Sequence, residues 1–172
     1  AHYQSVAKTV NNAHYTNRMH LLTKKRNNQI KDYMHKTSTY IANYAKENDI
    51  DIVVVGHNKY QKQNINIGRV NNQNSVQIPT TMLINQLQYK LNRLGIELVI
   101  VEESYTSQAS FENMDFLPTY GKDDNEANFS GNRIKRGLYQ TNGKTPINAD
   151  LNGAANILRK VFPNVREWDI GV

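Results

Sequence analysis

The sequence predicts an α/β domain with a long basic helix, a strand–helix–strand unit and a short helix near its C-terminal end. Three observations predict it. Residues 11–46 keep helical periodicity with no Pro or Gly. Two short apolar runs, at 51–55 and 96–101, bracket a Leu-rich stretch that Pro79 opens and Gly95 closes. Residues 148–157, Asn148-Ala149-Asp150-Leu151-Asn152-Gly153-Ala154-Ala155-Asn156-Ile157, read as the start of a further helix, with Arg159 and Lys160 at its negative end and Pro163 as its stop.

In chain order, the first helix is marked by Leu22, Ile30, Met34, Thr37, Ile41 and Tyr44, at spacings of three, four and seven, with Asn48 as its C-cap. At ~1.5 Å per residue it would be about 50 Å long. The run at 51–55, ending at Gly56, fits a buried parallel strand. Residues 56–77 are rich in Asn and Gln and read as a long loop. The next helix presents Leu83, Leu87, Leu91 and Leu94 on one face. The run at 96–101 is the second strand and leads directly into Glu102 and Glu103. A strand, a helix and a strand in this order make a right-handed βαβ unit, with ligands expected at the carboxyl ends of the strands. Residues 104–147 read as an irregular insertion, and 148–172 as the last helix and a tail in which Trp168 packs on the body.

Composition bounds the function. The chain has 172 residues, 38% hydrophobic and 21% charged, which suits one soluble globular domain. No apolar run is long enough to span a bilayer, and no signal peptide is visible. Cys is absent, which excludes a disulfide framework and a thiolate zinc site. Residues 1–48 hold eight Lys and Arg against two Asp and Glu, whereas 49–172 hold thirteen of each. The whole basic excess therefore sits on the first segment, where Lys24, Lys25, Arg26, Lys31 and Lys36 suit a phosphate-backbone surface or, equally, a solvated helix face. Arg133, Lys135 and Arg136, close to Tyr139, are further candidates to grip a nucleic-acid backbone.

Chemistry enters with the acids. Glu102 and Glu103 follow the second strand, and Asp150 stands at a helix start. Carboxylates converging there would hold Mg²⁺ or Mn²⁺, which prefer oxygen ligands. Side chains alternate along a strand, so at most one of Glu102 and Glu103 ligates. The alternatives are a solvated strand end and an N-cap, filled by either Asn148 or Asp150. Asn152 and Asn156 suit hydrogen bonds to backbone or to groups behind the site, and Tyr105 and Thr106 suit a structural role at the strand exit. His57 could meet a phosphate or a metal, though a loop His is more often neither.

Tyr105-Thr106-Ser107-Gln108 after a strand, then Asp150-x-Asn152-x-Ala154-Ala155-Asn156-Ile157, resemble the C-terminal half of the OrfB/TnpB-type proteins of insertion sequences. Lys25-Arg26, His35-Lys36-Thr37-Ser38 and the run at 50–55 match the helix and strand before it, so the likeness covers nearly the whole chain. The resemblance implies an RNase H/RuvC-like fold and an RNA-guided DNA endonuclease tied to transposition. It implies DNA and a guide RNA as partners, and a bacterial or archaeal cytoplasm with association to the nucleoid. It also implies an Asp-Glu-Asp set that binds two Mg²⁺. Carried onto this chain, catalytic and metal-binding roles fall to Glu103 and Asp150, with Glu102 as the fallback.

Three departures qualify the transfer. No segment matches the family's leading Asp strand, so the chain reads as a RuvC-like domain lacking its N-terminal strands, inactive by itself and with an open strand edge. The family's usual Glu would end the strand at 51–55, where Gly56-His57-Asn58 stand instead; Glu103 matches a rearranged subset. The places of a four-Cys zinc ribbon hold Ser110, Asn113, Tyr139 and Asn142, which cannot make a structural zinc site. The insertion would then be held by packing of Phe111, Phe116, Tyr120, Phe129 and Tyr139. A rival from another class is a non-catalytic nucleic-acid-binding remnant of such a protein.

Overall fold

A computed structural model describes residues 16–58 and 79–166, and it divides the chain into two compact units. The first unit comprises 1–51 with 79–97, and the second 52–78 with 98–172. The loop expected over 56–77 is described only as far as Asn58, and Trp168 lies outside the described residues.

The first unit is a helix pair. Helix α1 is Asn17–Glu47 and α2 is Thr80–Asn92. Thr16 is extended and its hydroxyl caps Met19 N at 3.3 Å, which starts α1 at Asn17; residues 11–15 of the expected helix lie outside the described residues. Asn48 ends the helix as expected. The expected apolar stripe is buried only in part: Ile30, Met34, Thr37 and Ile41 are half-buried. Leu22 and Tyr44 are exposed, and the residues buried on α1 are Met19, Ser38, Ala42 and Ala45. Small side chains there let α2 approach closely, and Ile84, Leu87 and Leu91 fill the contact. Fully burying Leu87 and Leu91 stabilises the pair by about 1.5–3 kcal/mol each. Lys90 locks the pairing by donating at 2.7 Å to His35 O, Ser38 Oγ and Thr39 Oγ1.

The second unit holds two small sheets and a helix. Strands β1 (Ile52–Gly56) and β2 (Glu97–Val101) lie side by side. Asp51 O accepts Glu97 N and Val101 O accepts His57 N, so residue numbers rise together and the pair is parallel, as a strand–helix–strand unit requires. Strand β1 is half-buried throughout instead of fully buried. The insertion is more regular than its sequence suggests. After a single 3₁₀ turn at Asp124–Glu126, an antiparallel sheet forms from β3 (Gly131–Lys135), β4 (Leu138–Thr141) and β5 (Ile147–Asn148). Arg136 and Gly137, the latter at φ +79°, make the turn between β3 and β4. A register shift between Arg133 and Lys135 hides the two-residue alternation that would have announced β3. Helix α3 is Ala149–Arg159, with Lys160 as its C-cap, so it ends before Pro163.

Packing of aromatics holds the insertion only in part. Phe111 and Tyr139 are buried, and Phe129 lies tilted against Tyr105, but Phe116 and Tyr120 are exposed. The Tyr139 hydroxyl donates to Gln108 O at 2.8 Å, and burial pushes its pKa up to about 12. Polar bonds supply the rest. The Asp115 carboxylate accepts Ser110 N, Ser130 N and Ser130 Oγ at 2.7–2.9 Å. Ser110 Oγ and Thr141 Oγ1 share a buried bond of 2.7 Å, Asn113 Nδ2 donates to Ser130 Oγ, and Asn142 N donates to Ser130 O. Of the four places matched to zinc-ribbon cysteines, Ser110 thus meets the Asp115 carboxylate directly, Asn113 and Asn142 join it through Ser130, and Tyr139 bonds Gln108 O instead.

Candidate active site

The N-cap of α3 is Asn148. Its Oδ1 accepts Asp150 N at 2.8 Å and Leu151 N at 3.0 Å. Capping by Asn148 leaves the Asp150 carboxylate out of the helix cap, and this side chain is 89% exposed. Arg133 Nη2, on β3, lies 3.8 Å from Asp150 Oδ1.

The buried face of α3 is polar. It carries Ala149, Asn152, Ala155, Asn156 and Arg159. Asn152 accepts Phe111 N at 3.0 Å and donates to Ala109 O at 2.9 Å. Asn156 donates to Thr106 O at 3.0 Å and to Ala109 O at 2.8 Å, and accepts from Arg159 Nη1. Burial lowers the pKa of the Arg159 guanidinium, and the nearby Asp115 carboxylate opposes that shift. The two asparagines therefore clamp the backbone that follows β2. Hydrogen bonds to backbone were one of the roles expected of them. Of the three small residues between them, only Ala155 is used in close packing; a Cβ on Gly153 would meet nothing within 4 Å.

The two glutamates at the end of β2 differ in kind. Glu102 is engaged: its Oε2 takes Lys160 Nζ at 2.6 Å and its Oε1 takes Ser104 N at 2.7 Å. Glu103 is held through its backbone, since its N–H donates to Asn58 Oδ1 at 3.0 Å. Thr106 Oγ1 donates to Glu103 O at 2.8 Å, and Tyr105, at φ 61°, makes the sharp exit with its hydroxyl on Asp124 Oδ1 at 2.6 Å. That bond to Asp124 raises the Tyr105 pKa to about 12. The Glu103 side chain lies over Gly56. A Cβ built on Gly56 would stand 2.7 Å from Glu103 Oε2, 2.8 Å from Glu103 Cβ and 2.8 Å from Ile157 Cδ1. Glycine at the end of β1 thus makes room for a carboxylate from the neighbouring strand. Gly56→Ala should displace Glu103 and lower stability by about 1–3 kcal/mol, read as a fall in Tm. An unchanged Tm would mean that Glu103 is not seated there.

Helical geometry relates the two acids. Asp150 and Ile157 are seven residues apart, so they share a face of α3, on the side away from Asn152 and Asn156. Glu103 and Ile157 both border the space over Gly56, and Ile157 stands about 10 Å along the axis from Asp150. Gly153 and Ala154 fall on the same face between them, where Gly153 fronts open space. Among the described residues no three of His, Asp and Glu gather closely enough to hold a metal ion. His57 stands at the end of β1 and is half-buried.

The basic residues separate into groups. Lys24, Lys25, Arg26, Lys31 and Lys36 are all exposed on α1. At 100° per residue, Lys25, Arg26 and Lys36 lie on one side, whereas Lys24 and Lys31 lie on another, so the five do not form one stripe. Lys36 Nζ is 2.7 Å from Asp32 Oδ2, an exposed pair. Arg133, Lys135 and Arg136 are exposed on β3 and its turn.

Comparisons with known proteins bear on the fold and the family. Residues 81–157 match a family model described as the Cas12f1-like TNB domain. No curated protein matches significantly. A solved cryo-EM structure of a Cas12f1-sgRNA-target DNA complex shares the fold over 91% of this chain, with a TM-score of 0.54 and 20% identity. The chain spans 40% of the length of that protein.

Proposed function

We propose that this chain is a TnpB/Cas12f-type protein and carries the carboxylates of a RuvC-like nuclease centre that cuts DNA under RNA guidance. The observation that carries the reading is the division of labour on α3. Asn148 caps the helix, Asn152 and Asn156 hold the loop, and Asp150 is left facing solvent beside Arg133. Glu102 is tied to Lys160, whereas Glu103 borders the space over Gly56 together with Ile157, on the Asp150 face of the helix.

The donor set suits a hard cation. Glu103 and Asp150 would hold Mg²⁺ or Mn²⁺, which would activate a water and take up charge on the leaving oxygen of a phosphodiester. The chain's own residues do the rest. The asparagine clamp fixes the exit of β2 against α3, so the two carboxylates are carried by one rigid assembly. Arg133 offers a guanidinium to the phosphate next to Asp150, with Lys135 and Arg136 farther along the same hairpin to steady the strand. The open space at Gly153 admits a backbone that a larger side chain would exclude. The relative's target DNA and guide RNA point to the same two partners here. The OrfB/TnpB resemblance supports encoding by a mobile element.

The test is Mg²⁺-dependent cleavage by the full-length protein with its guide, wild type against Asp150→Asn, which keeps size and removes charge. Loss of cleavage with RNA binding intact supports the reading. Undiminished cleavage would remove Asp150 from the chemistry.

The basic helix has its own expected outcome. Changing Lys24, Lys25, Arg26, Lys31 and Lys36 to Ala should weaken nucleic-acid binding and flatten its dependence on salt. The log–log slope should fall by roughly 0.7–0.9 for each phosphate that is no longer neutralised. An unchanged slope would mean that these charges only solvate α1.

A further inference from the structure

The outer face of α1 carries three large rings that packing does not explain. Tyr33, Tyr40 and Tyr44 are 65%, 70% and 52% exposed. Their spacings of seven and four place them in one line on the helix, turned away from Ser38, Ala42 and Ala45, which are buried on α1. Tyr40 and Tyr44 already stand as a stacked pair, with centroids 6.4 Å apart and planes inclined by 28°. The line spans about 16 Å from Tyr33 to Tyr44. Beside it, His35, Lys36, Thr39, Tyr40 and Asn43 line a shallow depression that places a cation and hydrogen-bonding groups next to an aromatic face.

We infer that Tyr33, Tyr40 and Tyr44 form a stacking platform for the bases of unpaired nucleic acid, with Lys36 and its basic neighbours on the backbone. Charge selects the occupant. Helix α1 carries seven Lys and Arg against two acids, so its field attracts a polyanion. The rings select the state of that polyanion. Bases in a duplex hide their faces in the stack, whereas unpaired bases offer a face that stacks on an aromatic ring whatever the sequence. The Lys36–Asp32 pair is exposed on both sides and costs little to open, so Lys36 is available to a phosphate. The platform extends the proposed nucleic-acid role to a surface apart from the carboxylates, with single strands as the ligand.

The experiment is fluorescence anisotropy of the full chain with labelled oligo(dT), against a duplex of equal length. Tyr33→Ala, Tyr40→Ala and Tyr44→Ala are compared with Tyr→Phe at the same places. Because these side chains are exposed, the fold should survive, and circular dichroism checks it. Each Ala change should weaken oligo(dT) binding about tenfold, leaving the salt slope and the duplex affinity unchanged. The Phe variants should bind like wild type. Oligo(dT) affinity that ignores all three Ala changes would overturn the inference. So would equal losses for duplex and single strand, or a triple-Ala protein that loses self-association but not oligo(dT). None of these outcomes bears on Asp150→Asn, so the platform and the nuclease centre fail separately.

Discussion

In the full-length protein, Glu103→Ala or Asp150→Ala should lower Mg²⁺-dependent DNA cleavage by roughly a thousandfold or more. That magnitude follows from the charge stabilisation a held cation supplies, several kcal/mol at about 1.36 kcal/mol per factor of ten. Glu102→Ala should keep most of the rate. Its carboxylate is occupied by Lys160 and by Ser104 N, so removal costs packing and an ion pair, about 1 kcal/mol of stability. The contrast between adjacent glutamates is the informative part. A general loss of folding would strike both, whereas the geometry over Gly56 singles out Glu103. Cleavage at the wild-type rate in Glu103→Ala would move the assignment to Glu102. An equal loss in all three variants would point to collapse of the strand exit.

Asn156→Leu should be the most damaging single change to the fold among the α3 residues. Asn156 is fully buried and serves Thr106 O, Ala109 O and Arg159 Nη1. Leucine fills the volume but takes that partner from Thr106 O and Arg159 Nη1, while Ala109 O keeps Asn152 Nδ2. Orphaning those buried polar groups costs about 3 kcal/mol in sum, which for a chain of this size lowers Tm by about 10 °C. Thermal melts read the fall directly. A fall of only a degree or two would mean that water reaches the loop and replaces the asparagine.

These residues also show what the sequence made legible and where it stopped. The parallel strands announced themselves as apolar runs, and the parallel pair of β1 and β2 follows from them. The order of α1, β1, α2 and β2 did too. The fully buried face of α1 did not. Periodicity favoured large apolar residues, whereas close approach of α2 is built on Ser38, Ala42 and Ala45, which carry little hydropathic signal. The small sheet was hidden because β3 is exposed at Asn132, Arg133, Ile134 and Lys135 and its register shifts midway. Asn152 and Asn156 were legible as hydrogen-bonding residues, but which carbonyls they hold depends on a loop more than forty residues upstream. The choice of Glu103 over Glu102 rested on the family resemblance. The room that Gly56 leaves for the Glu103 side chain becomes visible only when the two strands are side by side. Arg133 was a candidate for backbone contact, and nothing in the sequence placed it beside Asp150.

If Glu103 and Asp150 both serve a divalent-metal centre, Mn²⁺ binding followed by electron paramagnetic resonance reads it most directly. The free-ion signal is titrated against the folded full-length protein in wild-type, Glu102→Ala, Glu103→Ala and Asp150→Ala forms. Glu102→Ala should take up Mn²⁺ like wild type, and Glu103→Ala and Asp150→Ala should each lose that uptake. Mn²⁺ bound equally by all four proteins would contradict a centre built on these two carboxylates.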